Sequence, residues 1–190
     1  MSITFISPND NACLETIRNV CQERRKINEN TLVSLGTYSN RNDLACLNSP
    51  LYLFQLPKID YEDNKEKPFF DNVCALIHRF IKYQDKIVNR QTQTVIIFSN
   101  IPIVASYETS RLTGSKEMFY QLLQTKLLGW RFIFVGVDDI SMKVAKAMGF
   151  NVCIKYNANN TKPLEEVILD VLKYELDERK PQEFSVDLTK

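Results

Sequence analysis

Histidine is almost absent from this chain: His78 is the only one in 190 residues. That excludes a His-rich metal centre and obliges any Ser-His-Asp or Cys-His catalyst to use this one side chain. His78 sits between Ile77 and Arg79 on the polar side of an apolar helix pattern, where it reads as a surface residue. Glycine is scarce too, with five residues. Thr113-Gly114-Ser115-Lys116 lacks the first glycine of a phosphate-binding loop and has its Lys and Ser in the wrong order, so it reads as a turn with Ser115 as helix cap. The five cysteines (Cys13, Cys21, Cys46, Cys74, Cys153) are odd in number and never fall in C-x-x-C spacing, which predicts free, buried thiols in an intracellular protein. No apolar run reaches the roughly 18 residues that span a bilayer. The N-terminus has no basic region followed by an apolar stretch, so no secretory signal is read. Nor does one sign of charge dominate: 24 Lys+Arg against 23 Asp+Glu leave +1, which argues against nucleic acid and anionic membranes as partners.

What the chain does have is apolar patterning, at 44% hydrophobic residues, enough for one domain with a proper core. The stretch Leu127 to Asp139 is the clearest. A helix stops at Gly129, Phe132 to Val135 makes a strand buried on both faces, and Gly136 ends it. Asp138-Asp139 open a loop, Val144, Ala147 and Met148 form one face of a short helix closed by Gly149, and Asn151 to Tyr156 is the next strand. Strand, helix, strand is a βαβ unit, so the sheet is parallel.

Further elements follow from the same periodicities. Ile3 to Ile6 is a strand, and a turn at Ser7-Pro8-Asn9-Asp10 supplies caps for a helix carrying Leu14, Ile17, Val20 and Cys21. That helix ends in Glu23-Arg24-Arg25-Lys26, read as a solvated end. Thr31 to Tyr38 is a second strand, and Leu51 to Leu56, bounded by prolines, a third suited to a sheet edge. Phe69 to Ile81 is a strongly apolar helix, Thr92 to Phe98 a central strand, Ser99 to Ser115 a long loop, and Pro163 to Leu176 the last helix. The reading is a three-layer αβα, Rossmann-like domain over residues 1–176, with a mostly parallel six-stranded sheet and one antiparallel edge strand. Residues 177–190 are read as a charged, mobile tail.

This succession of elements resembles a von Willebrand factor type A domain over residues 3–176. It is most similar to the intracellular branch of that family, from bacteria, phages and large DNA viruses. The richness in Asn, Ile and Lys points to an AT-rich genome, such as that of a large DNA virus, a phage or a parasite. In that family the first strand ends in D-x-S-x-S, which holds a divalent cation; the matching positions here are Ser7, Asn9 and Asn11. A threonine before the second long helix supplies another ligand, and its place falls near Lys67. The fourth strand ends in T-D-G, where this chain has Ser99 and Asn100 after Phe98. The resemblance therefore implies a degenerate metal-ion-dependent adhesion site, with no metal and no cofactor. Mg²⁺ relies on carboxylates to draw it out of water, and neutral Ser and Asn oxygens bind it weakly. Lys67 would put a cation in the ion's place and donate to Ser7, Asn9 or Asn100. Asp10 falls between pattern positions and reads as a helix cap.

Two more features lie on the same C-terminal edge of the sheet, where open α/β sheets bind ligands. Asp138 and Asp139 could hold a cation or a sugar hydroxyl, while the simpler reading is that Asp139 or Ser141 caps the next helix. The loop Ile101 to Tyr107, with Ile103 and Val104, is apolar where its family counterpart is polar: either it is an exposed protein contact or it folds over the lost metal site. The expected function is a non-catalytic protein–protein interaction or assembly module, cytoplasmic or nuclear, that binds another protein or a second copy of itself. Two alternatives stay open. One is a Rossmann-like hydrolase or transferase. The other is a nucleic-acid-associated structural protein, which needs Arg24, Arg25, Lys65, Lys67 and Arg111 to converge.

Overall fold

The computed structural model of the chain describes residues 2–39, 42–56, 69–84, 93–103, 121–122, 124–126, 129–157, 162–176 and 184–189. The strands are β1 (Ser2–Pro8), β2 (Leu32–Tyr38), β3 (Asn42–Pro50), β4 (Gln93–Phe98), β5 (Arg131–Gly136), β6 (Val152–Lys155) and β7 (Phe184–Asp187). They form one sheet in the order β3-β2-β1-β4-β5-β6-β7. Every neighbouring pair is parallel except β2 with β3. The helices are α1 (Asn11–Ile27), α2 (Phe69–Gln84), α3 (Asp139–Ala147) and α4 (Lys162–Leu176).

Alternation along the strands sends side chains to two different cores. Ile3 and Phe5 of β1, Ile96 and Phe98 of β4, and Ile133 and Val135 of β5 meet Ile17 and Val20 of α1 and Leu164 and Ile168 of α4. Ile6, Val95, Ile97, Phe132 and Phe134 face the other way, onto α2 and α3. That second core is aromatic: Phe69 stacks edge-on to Phe70 and Phe134 at 5.4 and 6.1 Å between ring centres, and Phe134 to Phe150 at 5.5 Å. Helices on both faces make the three-layer α/β architecture that near-continuous apolar strands require. Gly129 and Gly149 take φ of +82° and +85° and end helical turns as the sequence suggests.

The structure corrects the sequence reading in five places. The sheet has seven strands, not six. The added one, β7, lies inside the stretch read as a mobile tail: Leu188 N–H donates to Lys155 O (2.8 Å), and Leu188 packs on the α1/α4 core. The antiparallel edge strand is Asn42–Pro50, and Leu51 to Leu56 is a turn and extended segment after it. Its alternation is broken by register shifts opposite Val33 to Gly36, so Leu44 and Leu47 pack on one core while Ala45 and Cys46 pack on the other. On α3, Ala147 is exposed and Met142 and Ala145 are buried in its stead. Finally, Arg24 is buried at 2% exposure, so Glu23, Arg25 and Lys26 are the solvated part of the α1 end.

Candidate functional site at the C-terminal sheet edge

The parallel strands β1, β2, β4, β5 and β6 all end on one edge, and the residues after them are the candidate site. Ser7 closes β1. It is fully buried, and its hydroxyl donates to the neighbouring Pro8 carbonyl at 2.9 Å. Ser99 follows β4, is equally buried, donates its backbone N–H to Val135 O (2.8 Å) and donates its hydroxyl to Ile101 O at 2.7 Å. Asn9 N–H donates to Tyr38 O (2.9 Å), which fixes the chain leaving β1 against the end of β2. Its Oδ1 is buried without a hydrogen-bond partner among the described residues, an acceptor in want of a donor. Asn11 is exposed and Asn100 half-buried.

Asp10 is the N-cap of α1, as its spacing suggests: its side chain accepts from Cys13 N–H at 3.1 Å. Beneath that cap lies a cluster without any contiguous sequence signal. The Cys13 thiol and the Tyr156 hydroxyl are 3.5 Å apart, and Tyr38 donates its hydroxyl to Phe98 O at 2.6 Å. Burial pushes the Cys13 thiol up from 9.0 to about 12, with the charge of Asp10 adding to the rise. Burial likewise raises both tyrosines well above their ordinary value. Ser7, Cys13, Tyr38, Ser99 and Tyr156 thus form a buried set of neutral hydroxyl and thiol groups under the edge.

The acidic pair divides its labour. Asp138, rather than Asp139 or Ser141, caps α3: it accepts from Ile140 N–H (3.0 Å) and Ser141 N–H (2.9 Å), and the Ser141 hydroxyl also donates to it. Asp138 alone is placed to do so, because it keeps extended backbone while Asp139 already belongs to the helix. Asp139 pairs with Lys155 at 3.0 Å, and Lys155 also reaches Asp187 of β7 at 3.7 Å. The hydrogen bond to Asp139 raises the Lys155 pKa.

Only the beginning of the apolar loop can be placed. Ile103 is 1% exposed within the α2/α3 core, so it is no surface contact; its N–H donates to Ser141 Oγ (2.9 Å), which draws it down beside α3. Ile101 is half-buried and Pro102 exposed. Next to them, on the first turn of α3, Ile140 is 55% exposed. It was not singled out from the sequence, although an isoleucine between a capping acid pair and Ser141 has little reason to be buried. Lys67, Val104, Tyr107, the Thr113-Gly114-Ser115-Lys116 turn, Lys65 and Arg111 lie outside the described residues. His78 is exposed on α2. Among the described residues, no three of His, Cys, Asp and Glu gather as metal ligands.

No protein-family model and no curated protein matches the chain. Solved structures do. The ArnB paralogue VWA2 of Sulfolobus acidocaldarius superposes with a TM-score of 0.56 at 13% identity, covering 90% of this chain and 44% of that one. The fold is von Willebrand factor A-like. BatB of Bacteroides thetaiotaomicron, a conserved hypothetical protein, gives a TM-score of 0.57 at 8% identity over 94% of this chain and all of that one. An aerotolerance-related membrane protein of Bacteroides fragilis gives 0.52 at 10% identity, with 94% and 100% covered. The chain spans less than half of the Sulfolobus protein, and identities this low speak for the fold alone.

Proposed function

We propose that this chain is a non-catalytic, intracellular protein-interaction or assembly module whose sheet-edge face binds without a metal ion. The supporting observation is that the edge's polar groups are neutral or already engaged. Ser7 and Ser99 donate to adjacent carbonyls, and Asp10 and Asp138 cap helices. A hard divalent cation needs carboxylates free to replace its waters, and this donor set does not fit one. Cys13, the thiol nearest the edge, is kept protonated by burial, the opposite of what a nucleophile requires. What the edge does offer is a small mixed surface: Ile140, Pro102 and part of Ile101 beside Asn100, Asn9 and the Asp139–Lys155 pair. Apolar side chains rimmed by polar ones suit contact with another protein, a second copy included. No helix among the described residues is long and apolar enough to cross a membrane.

The test is solution mass as a function of concentration, in chelator and in Mg²⁺, for the native chain and for Ile140→Asp. Association that ignores the cation and weakens in the variant supports the reading. Association that requires Mg²⁺ contradicts it. A mass of one chain throughout removes self-association and leaves a different protein as the partner.

A further inference from the structure

Among the described residues a cleft lies away from the C-terminal edge, against α1 on the flank of the domain. After β3 the chain makes a tight turn, in which Leu53 N–H donates to Pro50 O (2.9 Å) and Phe54 N–H to Leu51 O (3.2 Å). Leu51 N–H also donates to Thr31 O (3.0 Å), which anchors the turn near the start of β2. The geometry points Leu51 into the core at 2% exposure and leaves Tyr52 and Leu53 outside at 45% and 61%. The segment then runs alongside α1, and a cleft of about 270 Å³ opens between them. Leu51, Phe54 and Leu56 form its apolar wall, and Arg18, Gln22 and Arg25 its polar one. Ile27, at the end of the same helix, is 56% exposed. Three of the five large exposed hydrophobic residues among those described lie outside the cleft itself but on the two segments that form it: Ile27 on α1, and Tyr52 and Leu53 on the turn between the lining residues Leu51 and Phe54.

We infer that this cleft is a docking groove for an acidic, apolar-rich peptide segment of a partner protein. Arg18 and Arg25 are exposed and seven residues apart, so they share one helix face about 10 Å from each other. In an extended peptide alternate residues share a face and lie about 7 Å apart, a gap the long arginine side chains can match. Two carboxylates at positions i and i+2 would each meet a guanidinium, and the apolar side chain between them points the other way, at Phe54 and Leu56. Arg18 is available for this: its pairing with Glu15 is long, at 3.7 Å, and both side chains are more than half exposed, a type of ion pair that holds weakly. The volume suits a side-chain anchor better than a free cofactor, for which pockets are commonly larger. The apolar wall and the near-neutral net charge disfavour a phosphate backbone as the occupant. The groove is separate from the sheet-edge face and stands or falls without it.

The experiment is selection of a phage-displayed library of random dodecamers against the native chain. The winners are then measured as synthetic peptides on the native chain, on Arg18→Glu/Arg25→Glu, on Leu53→Ser and on Ile140→Asp. The expected winners carry two acids two positions apart flanking Leu, Ile or Phe, lose at least roughly ten-fold in affinity on the double variant, lose affinity on Leu53→Ser, and are indifferent to Ile140→Asp. Both cleft variants sit on the surface, and unchanged melting temperatures verify that they fold. The inference is overturned if no peptide is enriched, if the winners lack acids, or if they bind the double variant as well as the native chain. It is equally overturned if labelled oligothymidine binds more tightly than any peptide and loses its affinity in the double variant, since the arginines would then serve phosphate.

Discussion

The C-terminal sheet edge and the cleft beside α1 both carry polar groups, and they differ in what those groups are still free to do. At the edge, Ser7, Tyr38 and Ser99 spend their hydroxyls on backbone carbonyls, and two carboxylates spend themselves on helix ends. Beside α1, the guanidinium of Arg18 makes one long ion pair and Arg25 is exposed, next to uncovered apolar side chains. Position on the sheet edge therefore says less about binding chemistry than commitment does. A group that holds the fold together cannot also recognise a partner without cost to stability.

That contrast is open to direct attack, and the largest expected effect is on alkaline stability at the edge. With the folded Cys13 pKa raised from 9.0 to about 12, both states keep the proton below about pH 9 and nothing is lost. Above it the unfolded chain releases the proton while the folded one holds it, so stability falls at up to about 1.4 kcal/mol per pH unit until Cys13 itself ionises. Comparing denaturant midpoints of the native chain and Cys13→Ala between pH 9 and 11 isolates the Cys13 part as the difference between two slopes, since the variant keeps Cys21, Cys46, Tyr38 and Tyr156, which burial also raises. Next in size is Tyr38→Phe, which strands the buried Phe98 carbonyl and should cost about 1–3 kcal/mol by urea denaturation. Asp10→Ala removes the α1 cap and should cost about 1 kcal/mol in the same assay. Smallest is the cleft: Arg18→Glu/Arg25→Glu should move stability by no more than about 0.5 kcal/mol. A cleft variant as damaging as Tyr38→Phe would erase the contrast.

Much of the fold was legible because the inner strands are buried on both faces and need no tertiary information: Phe132 to Val135 and Thr92 to Phe98 read as strands from composition alone. The glycine stops at 129 and 149 and the Asp10 cap were legible for the same local reason. The edges were not. β3 carries two register shifts, so its apolar residues do not alternate, while the apolar run at Leu51 imitates a strand and is a turn. β7 is four residues in a charged stretch and becomes a strand through its pairing with β6. At the candidate site the positions Ser7, Asn9 and Ser99 were readable, but their state was not. Cys13, Tyr38 and Tyr156 meet across most of the chain's length, and no local pattern announces that. Asp138 and Asp139 are adjacent carboxylates, and only backbone geometry decides which one caps α3.

The central claim is that the edge works without a cation, and it is tested most directly by melting the native chain beside Ser7→Asp/Asn9→Ser/Asn11→Ser, each with Mg²⁺ and with chelator. A ligand that binds only the folded state must raise its melting temperature. The account predicts coincident curves for the native chain, with any Mg²⁺-dependent rise confined to the variant that regains the acid. A Mg²⁺-dependent rise in the native chain would contradict it.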